Sequence, residues 1–199
     1  LTLFGSQAMS LYMKTPLRSK DLDLVTAHAT LKQIESLADR IREEGVAEVR
    51  STTAQTRLFG SRRMTTYSIE LRLEGKPFIV EIFDAILDGR SPSILTPYVQ
   101  PVNRWGISLW APTPEAVVVL RLAFRSPEGI TRLNAIRLNR FIQENTGSLD
   151  LGVISSIIRH WRLEDWIGGN LKRLYRLNRI RILNDSRILP SIEERLAPK

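Results

Sequence analysis

The chain contains no cysteine and only two histidines, His28 and His160, among its 199 residues. The absence of cysteine excludes disulfides, thiolate-bound zinc and a thiol nucleophile, and it fits a reducing compartment. With so few histidines we do not expect a histidine-rich metal site or a histidine-based triad. No run approaches the roughly 18 consecutive apolar residues of a membrane-spanning helix. We therefore expect a cytoplasmic protein with no membrane partner.

The charge of the chain is unevenly spread. Residues 1–116 carry 14 Lys and Arg against 13 Asp and Glu, whereas residues 117–199 carry 15 against 8. A basic half of this kind favours a polyanionic partner such as RNA or DNA. A basic helical surface that is simply solvated is an equally good explanation. With 43% hydrophobic residues, the chain is long enough to bury a core as one domain or as a domain with an appendage.

Two aspartates, Asp21 and Asp23, lie within a segment at 20–26 that predicts a β-strand. Because side chains alternate across a strand, both carboxylates face one side, and Leu22 and Leu24 face the other side, where a core would be. Two acids on one exposed face repel each other, and a hard divalent cation is the usual reason for such a pair. Asp21 and Asp23 are therefore candidate metal ligands.

A short apolar strand ends at Gly5-Ser6, and fourteen residues separate this turn from the aspartate pair. The segment that follows, 7–13, has apolar residues at helical spacing. Downstream, 29–41 predicts an amphipathic helix that ends near Gly45. Further strands are predicted at 47–50, about 56–59, 64–73 and 78–83, with hairpin turns at 60–61 and 75–76. Residues 85–105 predict a long loop, and a short strand follows at 107–110.

From Thr113 onward the pattern becomes helical. Thr113-Pro114-Glu115 combines a capping hydroxyl, a proline at the first helical position and an acid in the first turn. Helices are predicted at 113–125, 130–144, 149–162 and 171–183. Strands first and helices afterwards predict an α+β fold, with a mixed β-sheet and flanking helices followed by a C-terminal helical bundle. We place the domain boundary between 1–112 and 113–199.

The run Phe4-Gly5-Ser6, then the spacer and Asp21-Leu22-Asp23, resembles the signature of the DNA polymerase β-type nucleotidyltransferase superfamily. More narrowly, segments 5–13 and 17–24 are similar to the AbiE-type and MenT-type toxin branch. Segments 119–125 and 132–136 resemble later helices of that branch, so the likeness spans about 1–142. Three departures stand out: a spacer one residue beyond the common range, Arg121 in place of the usual Lys, and Asn134 in place of a frequent Asp.

The resemblance implies transfer of a nucleotidyl group from an NTP to an acceptor hydroxyl, with two Mg²⁺ ions held by three carboxylates. It assigns Gly5 and Ser6 to the triphosphate and Asp21 and Asp23 to the metals. We choose Glu81 as the third acid, because it stands inside the apolar strand 78–83, where an uncompensated charge is costly. We interpret Asp84, at the end of that strand, as a turn cap.

Basic residues supply the remaining candidates, and each has a purely structural alternative. Triphosphate contacts are predicted for Lys14, Arg18, Lys20, Arg121 and Arg125, which are otherwise loop charges or a polar helix stripe. The C-terminal run interleaves arginines with Trp161, Trp166 and Tyr175, a mixture that suits phosphate contact and base stacking or equally the outside of an amphipathic helix. Its candidate nucleic-acid ligands are Arg159, Arg162, Lys172, Arg173, Arg176 and Arg179.

The resemblance thus favours a Mg²⁺-dependent enzyme acting on RNA, such as a tRNA end. It implies a toxin of a toxin–antitoxin or abortive-infection system, with a cognate antitoxin as a possible protein partner. Two alternatives stay open. One is transfer of a nucleotide to a protein hydroxyl, as in AMPylation. The other is a degenerate nucleotidyltransferase fold that serves as a binding subunit, which the departures at Arg121 and Asn134 favour.

Overall fold

The computed structural model describes residues 1–104, 106–124 and 130–182. The chain divides into two compact units. The first comprises Leu1–Leu11 and Thr15–Pro112, and the second comprises Tyr12–Lys14 with the described residues from Thr113 onward. The first unit contains a mixed sheet and two α-helices, and the second contains four α-helices, which confirms the α+β class. Within the described ranges, no helix has the length and apolarity that crossing a membrane requires.

The first unit is built on a five-stranded sheet. Its strands and the two helices between them are β1 (Thr2–Leu3), α1 (Gly5–Leu11), β2 (Asp21–Val25), α2 (Leu31–Glu43), β3 (Glu48–Phe59), β4 (Arg62–Leu73) and β5 (Lys76–Phe83). The order of the strands in the sheet is β1-β2-β5-β4-β3. Strands β2 and β5 are parallel neighbours, and the other pairs are antiparallel.

Helix α2 covers one face of the sheet. Thr30 caps it: the Thr30 hydroxyl accepts from the Gln33 N–H at 3.3 Å, and the Gln33 side chain accepts from the Thr30 N–H at 3.0 Å. Its buried residues and the apolar residues of β4 and β5 form one cluster, made of Ile34, Ala38, Ile69, Leu71, Val80 and Ile82. Leu22 and Leu24 pack against this cluster, so their predicted orientation toward a core is confirmed.

The predicted strands at 47–50 and 56–59 are a single 12-residue strand, β3, so that part of the prediction was wrong. The polar residues between them, Ser51–Gln55, lack an apolar pattern because β3 is an edge strand with most side chains exposed. Backbone pairing with β4 nevertheless continues past a register shift between Val49 and Ser51 as far as Phe59. The predicted turn at 60–61 is present, and Gly60 has a φ of 63° there.

Residues 85–105 were predicted as a loop, and this too was wrong. A 3₁₀ helix spans Pro92–Tyr98, and β6 (Val99–Arg104) pairs antiparallel with β7 (Ile107–Pro112). The prolines that indicated a loop fit these elements: Pro92 lies at the start of the 3₁₀ helix, and Pro101 lies in a two-stranded ribbon. Proline is tolerated where a strand has only one neighbour.

The second unit contains α3 (Pro114–Leu122), α4 (Arg132–Glu144), α5 (Leu151–His160) and α6 (Glu164–Asn178). The side chains of Thr113, Thr131 and Asp150 cap the first three helices. Helix α6 starts seven residues before the predicted 171, because the glycine pair at 168–169 obscured the helical pattern in the sequence. Ile167, Leu171 and Leu174 are buried at helical spacing on its inner face.

Candidate metal centre

The register of β2 against β5 brings three acids together. Asp23 lies directly opposite Glu81, and Asp21 lies opposite Ile79. Because side chains alternate along a strand, Asp21, Asp23 and Glu81 share the sheet face that α2 does not cover. One carboxylate oxygen from each acid lies within 4.8 Å of the others, and all three side chains are half-buried. The acids that the sequence singled out therefore form one cluster, although their roles as ligands stay a prediction.

Gly5 fits closely against this cluster. Its φ is +63°, and a Cβ placed on it would lie 1.6 Å from Asp23 Oδ2 and 2.8 Å from Asp23 Cβ. No side chain can occupy that space without displacing the carboxylate. The Phe4 N–H donates to the Asp23 carbonyl at 2.8 Å, which fixes the turn beside β2. The glycine of the sequence signature is thus required for close approach to Asp23 as well as for its backbone conformation.

A chain of hydroxyls connects the turn to the acids. Ser6 is 7% exposed, and its Oγ lies 3.0 Å from Ser19 Oγ. The Ser19 hydroxyl in turn donates to Asp21 Oδ1. The buried Ser10 hydroxyl donates to the Ser6 carbonyl at 3.1 Å and accepts from the Leu17 N–H at 3.0 Å, which holds both ends of the spacer. Sequence reasoning missed Ser19, because this residue precedes the predicted strand at 20–26.

The electrostatics of the cluster favour a bound cation. Burial raises the pKa of Glu81 above its usual 4.5, the negative charge of Asp21 raises it further, and the positive charge of Arg57 partly opposes both. A divalent cation would offset the repulsion between these carboxylates. Three oxygen ligands on adjacent strands are the hard donor set that Mg²⁺ or Mn²⁺ takes in proteins. The residues present therefore fit a divalent metal.

Arg57 is a second residue that sequence reasoning missed. It lies on β3, two strands away from β5, on the same sheet face as Glu81. The predicted hairpin turns at 60–61 and 75–76 were a signal, but they do not fix the register that places Arg57 on the face of Glu81.

Asp84 lies outside the cluster. Its Oδ1 accepts from the Thr65 N–H at 2.6 Å, and its own N–H donates to the Thr65 carbonyl at 3.1 Å. These bonds close the end of the β4–β5 pairing, in agreement with the interpretation of Asp84 as a cap.

The sequence also predicted five basic residues as triphosphate ligands. Arg18 and Lys20 are exposed in the segment that leads to β2. Lys14 belongs to the second unit, where its backbone N–H donates to Glu144 Oε2 at 2.8 Å. Arg121 lies in α3 of the same unit, and Arg125 lies outside the described residues. The roles of all five stay predictions.

The predicted nucleic-acid ligands lie at the end of α5 and along α6. Lys172 is half-buried, and the other five, Arg159, Arg162, Arg173, Arg176 and Arg179, are exposed. The expected stacking role of Trp161 is wrong, because this side chain is only 3% exposed and packs inside the unit. Tyr175 is exposed, and the guanidiniums of Arg179 and Arg181 lie 5.8 and 4.8 Å from its ring centroid. Phosphate contact by these arginines stays a prediction.

No protein-family model and no curated protein matches the chain. Among solved structures, it is similar to the crystal structure of an antigenic nucleotidyltransferase-like protein from Paracoccidioides brasiliensis. The two chains are 14% identical, the TM-score is 0.45, and the alignment covers 83% of each chain. A likeness at this level carries no argument about activity or about the toxin branch, so the function has to be inferred from the site.

Proposed function

We propose that the protein is a divalent-metal-dependent nucleotidyltransferase, which moves an NMP from an NTP to an acceptor hydroxyl. The observation that carries this proposal is the convergence of Asp21, Asp23 and Glu81 beside the Gly5 turn. The resemblance of the sequence to the polymerase β-type signature rests on the same residues and supports the same chemistry.

Asp21, Asp23 and Glu81 would hold Mg²⁺, with two ions expected. Bound ions of this kind supply stabilisation of phosphoryl charge and lower the pKa of an acceptor hydroxyl. The Ser19 hydroxyl orients Asp21 by occupying one carboxylate oxygen, which leaves the other oxygen for a ligand. The half-buried position of the acids limits competition from bulk water for the same oxygens.

Gly5 and Ser6 are the residues we assign to the triphosphate. The absent side chain of Gly5 leaves the backbone open to a phosphate next to Asp23. The Ser6 hydroxyl contacts Ser19, so it would rotate away from Ser19 to donate to a phosphate oxygen. Helix α1 has seven residues, and we assign no anion site to its N-terminus alone.

We further propose RNA, such as a tRNA end, as the acceptor. The basic surface of α5 and α6 supports this choice, because Lys and Arg side chains that neutralise backbone phosphates dominate affinity for nucleic acids. A role as a toxin controlled by a cognate antitoxin follows from the sequence resemblance alone. Lys14, Arg18, Lys20, Arg121 and Arg125 are proposed triphosphate contacts on the same basis.

The deciding experiment is incubation with each α-labelled NTP, Mg²⁺, and either total tRNA or a protein extract. Label on RNA supports the proposal, and label on polypeptide supports protein nucleotidylation instead. If no acceptor is labelled and no NTP shifts the melting temperature, the fold serves as a binding subunit. Asp39→Asn, an exposed carboxylate on α2, is the matched control for substitutions of the three acids.

A further inference from the structure

The sheet face that bears the acids continues as a polar surface on the β3–β4 hairpin. A row of directly paired residues crosses four strands: Asp23, Glu81, Ser68 and Thr53. Beyond Glu81 this face carries five polar residues, which we call the open face: Thr53, Gln55 and Arg57 of β3 with Thr66 and Ser68 of β4. Met64, opposite Arg57, is a half-buried apolar residue on the same face. The open face extends two strand spacings from Glu81, which is roughly 10 Å.

The side chains of the open face are available to a ligand. Within the described part of the chain, the four neutral ones make no hydrogen bond to protein, and Arg57 makes neither a hydrogen bond nor a salt bridge. Arg57 is nevertheless close enough to act electrostatically on Glu81. Glu70 shares this side of the sheet but lies opposite Ile79, away from Arg57 along the strand. Arg57, the cation of the open face, thus lies toward the hairpin turn at 60–61, and its positive charge still acts on Glu81.

The order of the strands separates two approaches to the acids. Gly5 and Ser6 lie on the β1 side of the cluster, and the open face lies on the opposite side, beyond β5. The proposed function places the triphosphate at Gly5 and Ser6. The acceptor must then come to the acids from the other side, over β4 and β3.

We propose that the open face binds the acceptor as a single nucleic-acid strand, with Arg57 on a backbone phosphate next to the reacting end. This inference rests on the proposed function and narrows its acceptor class. A guanidinium binds phosphate with two parallel hydrogen bonds, and hydroxyl and amide side chains donate to phosphates and sugars. Next to them on this face, Met64 is a half-buried apolar side chain, so hydroxyl, amide and guanidinium donors dominate what an acceptor would meet.

Arg63 provides a matched control on the same hairpin. It is one residue from Met64, the partner of Arg57 in the register, and it is exposed like Arg57. By strand alternation Arg63 faces the opposite side of the sheet, where it lines a separate cleft of about 560 Å³ together with Tyr67 and Asp84. Arg57→Gln and Arg63→Gln therefore remove the same charge from opposite faces of one hairpin.

The experiment measures binding of a fluorescent single-stranded RNA of about six nucleotides, a length within the range of a single-strand site. Fluorescence anisotropy is recorded with Mg²⁺ and without NTP for the wild type and both variants. We expect Arg57→Gln to weaken RNA affinity about 10-fold. The slope of log affinity against log salt concentration should fall by the amount expected for about one phosphate contact. The RNA affinity of Arg63→Gln should stay within about twofold of the wild type. Arg57→Lys should recover part of the affinity. In transfer assays, Arg57→Gln should raise the KM for RNA and leave the KM for NTP unchanged.

Three outcomes would overturn the inference. Equal losses in the two Gln variants would assign the effect to net charge. A raised KM for NTP with unchanged RNA affinity would place Arg57 on the triphosphate, and labelling of polypeptide without RNA binding would make the acceptor a protein. Equal melting temperatures exclude unfolding as the cause. If the wild type transfers nothing but the variants still differ in RNA binding, the proposed function fails and the RNA-binding face stands.

Discussion

The two faces of the five-stranded sheet are made from the same strands and do opposite things. On β2, Leu22 and Leu24 pack under α2, and the residues that alternate with them, Asp21 and Asp23, point to the opposite side. On β5, Ile82 is 1% exposed and its neighbour Glu81 belongs to the acid cluster. The apolar face supplies stability, while the acidic face carries mutual repulsion that disfavours folding. Alternate residues along one strand therefore have different roles: one set stabilises the fold, and the other set forms the candidate site.

The largest effect should come from Asp23→Asn. We expect transfer to fall about 1,000-fold or more, because loss of one ligand removes several kcal/mol of charge stabilisation in the transition state. The melting temperature should stay the same or rise slightly, since a repulsive charge is removed. Single-turnover transfer and thermal melting, with Asp39→Asn alongside, measure both quantities. Full activity in Asp23→Asn would remove Asp23 from the site.

On the other face of the sheet, Ile82→Ala should lower stability without changing metal binding. Truncating this buried side chain should lower the free energy of unfolding by about 2–4 kcal/mol. The molecules that remain folded should bind Mn²⁺ within about threefold of the wild type, because Glu81 and its partner Asp23 keep their register. Urea unfolding and Mn²⁺ titration by electron paramagnetic resonance report the two effects. Loss of Mn²⁺ binding in the folded variant would show that the faces are coupled.

Gly5→Ala, in contrast to the two substitutions above, is expected to reduce stability and metal binding together. A Cβ at Gly5 would overlap Asp23 Oδ2, and a non-glycine residue at a φ of +63° is strained by roughly 1–3 kcal/mol. We expect lower stability together with weaker Mn²⁺ binding. Gly60→Ala is the control, because Gly60 has the same φ of 63° but nothing within 4 Å of its added Cβ. It should lose stability alone.

The smallest effect is a pH dependence of metal affinity. Burial and the charge of Asp21 raise the pKa of Glu81, so protons compete with the metal over a range that extends above the usual 4.5. Mn²⁺ affinity should therefore rise as the pH is raised through this range. The raised pKa also means that, without metal, Glu81 favours folding most below its unfolded pKa and loses that contribution as the pH rises through its folded pKa.

Glu81→Gln should flatten this part of the pH profile, whereas Glu70→Gln, an exposed acid on the same face, should leave it unchanged. Isothermal titration of Mn²⁺ at several pH values distinguishes the two variants. A profile that is identical in Glu81→Gln and the wild type would contradict the assignment of Glu81 as the titrating ligand.

The acids of the cluster could be predicted from the sequence because each one is marked by its immediate neighbours in the chain. Two acids spaced by two in a strand must share a face, and an acid inside an apolar strand needs compensation. The parallel pairing that brings Glu81 beside Asp23 is not local, and the sequence resemblance supplied only the expectation of a third acid. Arg57 lies in the predicted strand 56–59, but its place on the face of Glu81 depends on the register of β4 against β3 and β5, which the sequence does not specify.

In the second unit, the burial of some side chains likewise could not be predicted from the order of residues along the chain. Trp161 follows two basic residues and precedes a third, which indicated an exposed position, yet it is 3% exposed. Its burial is decided by packing among α-helices, and charge order along the chain does not report that packing. Glycine at 168–169 likewise obscured the start of α6, where Ile167 and Leu171 pack inward and tertiary contacts override the low helix propensity of glycine.

The direct pairing of Asp23 with Glu81 has a consequence for how the protein can vary. Their spacing is set by the hydrogen-bond ladder between β2 and β5, not by the chain that connects these strands. The β3–β4 hairpin belongs to that connection, and its turn at 60–61 lies beyond Thr66, the last residue of β4 that pairs with β5. Residues inserted at this turn would lengthen the hairpin and leave the carboxylates in place. The hairpin can thus change in length and sequence without displacing the acid cluster.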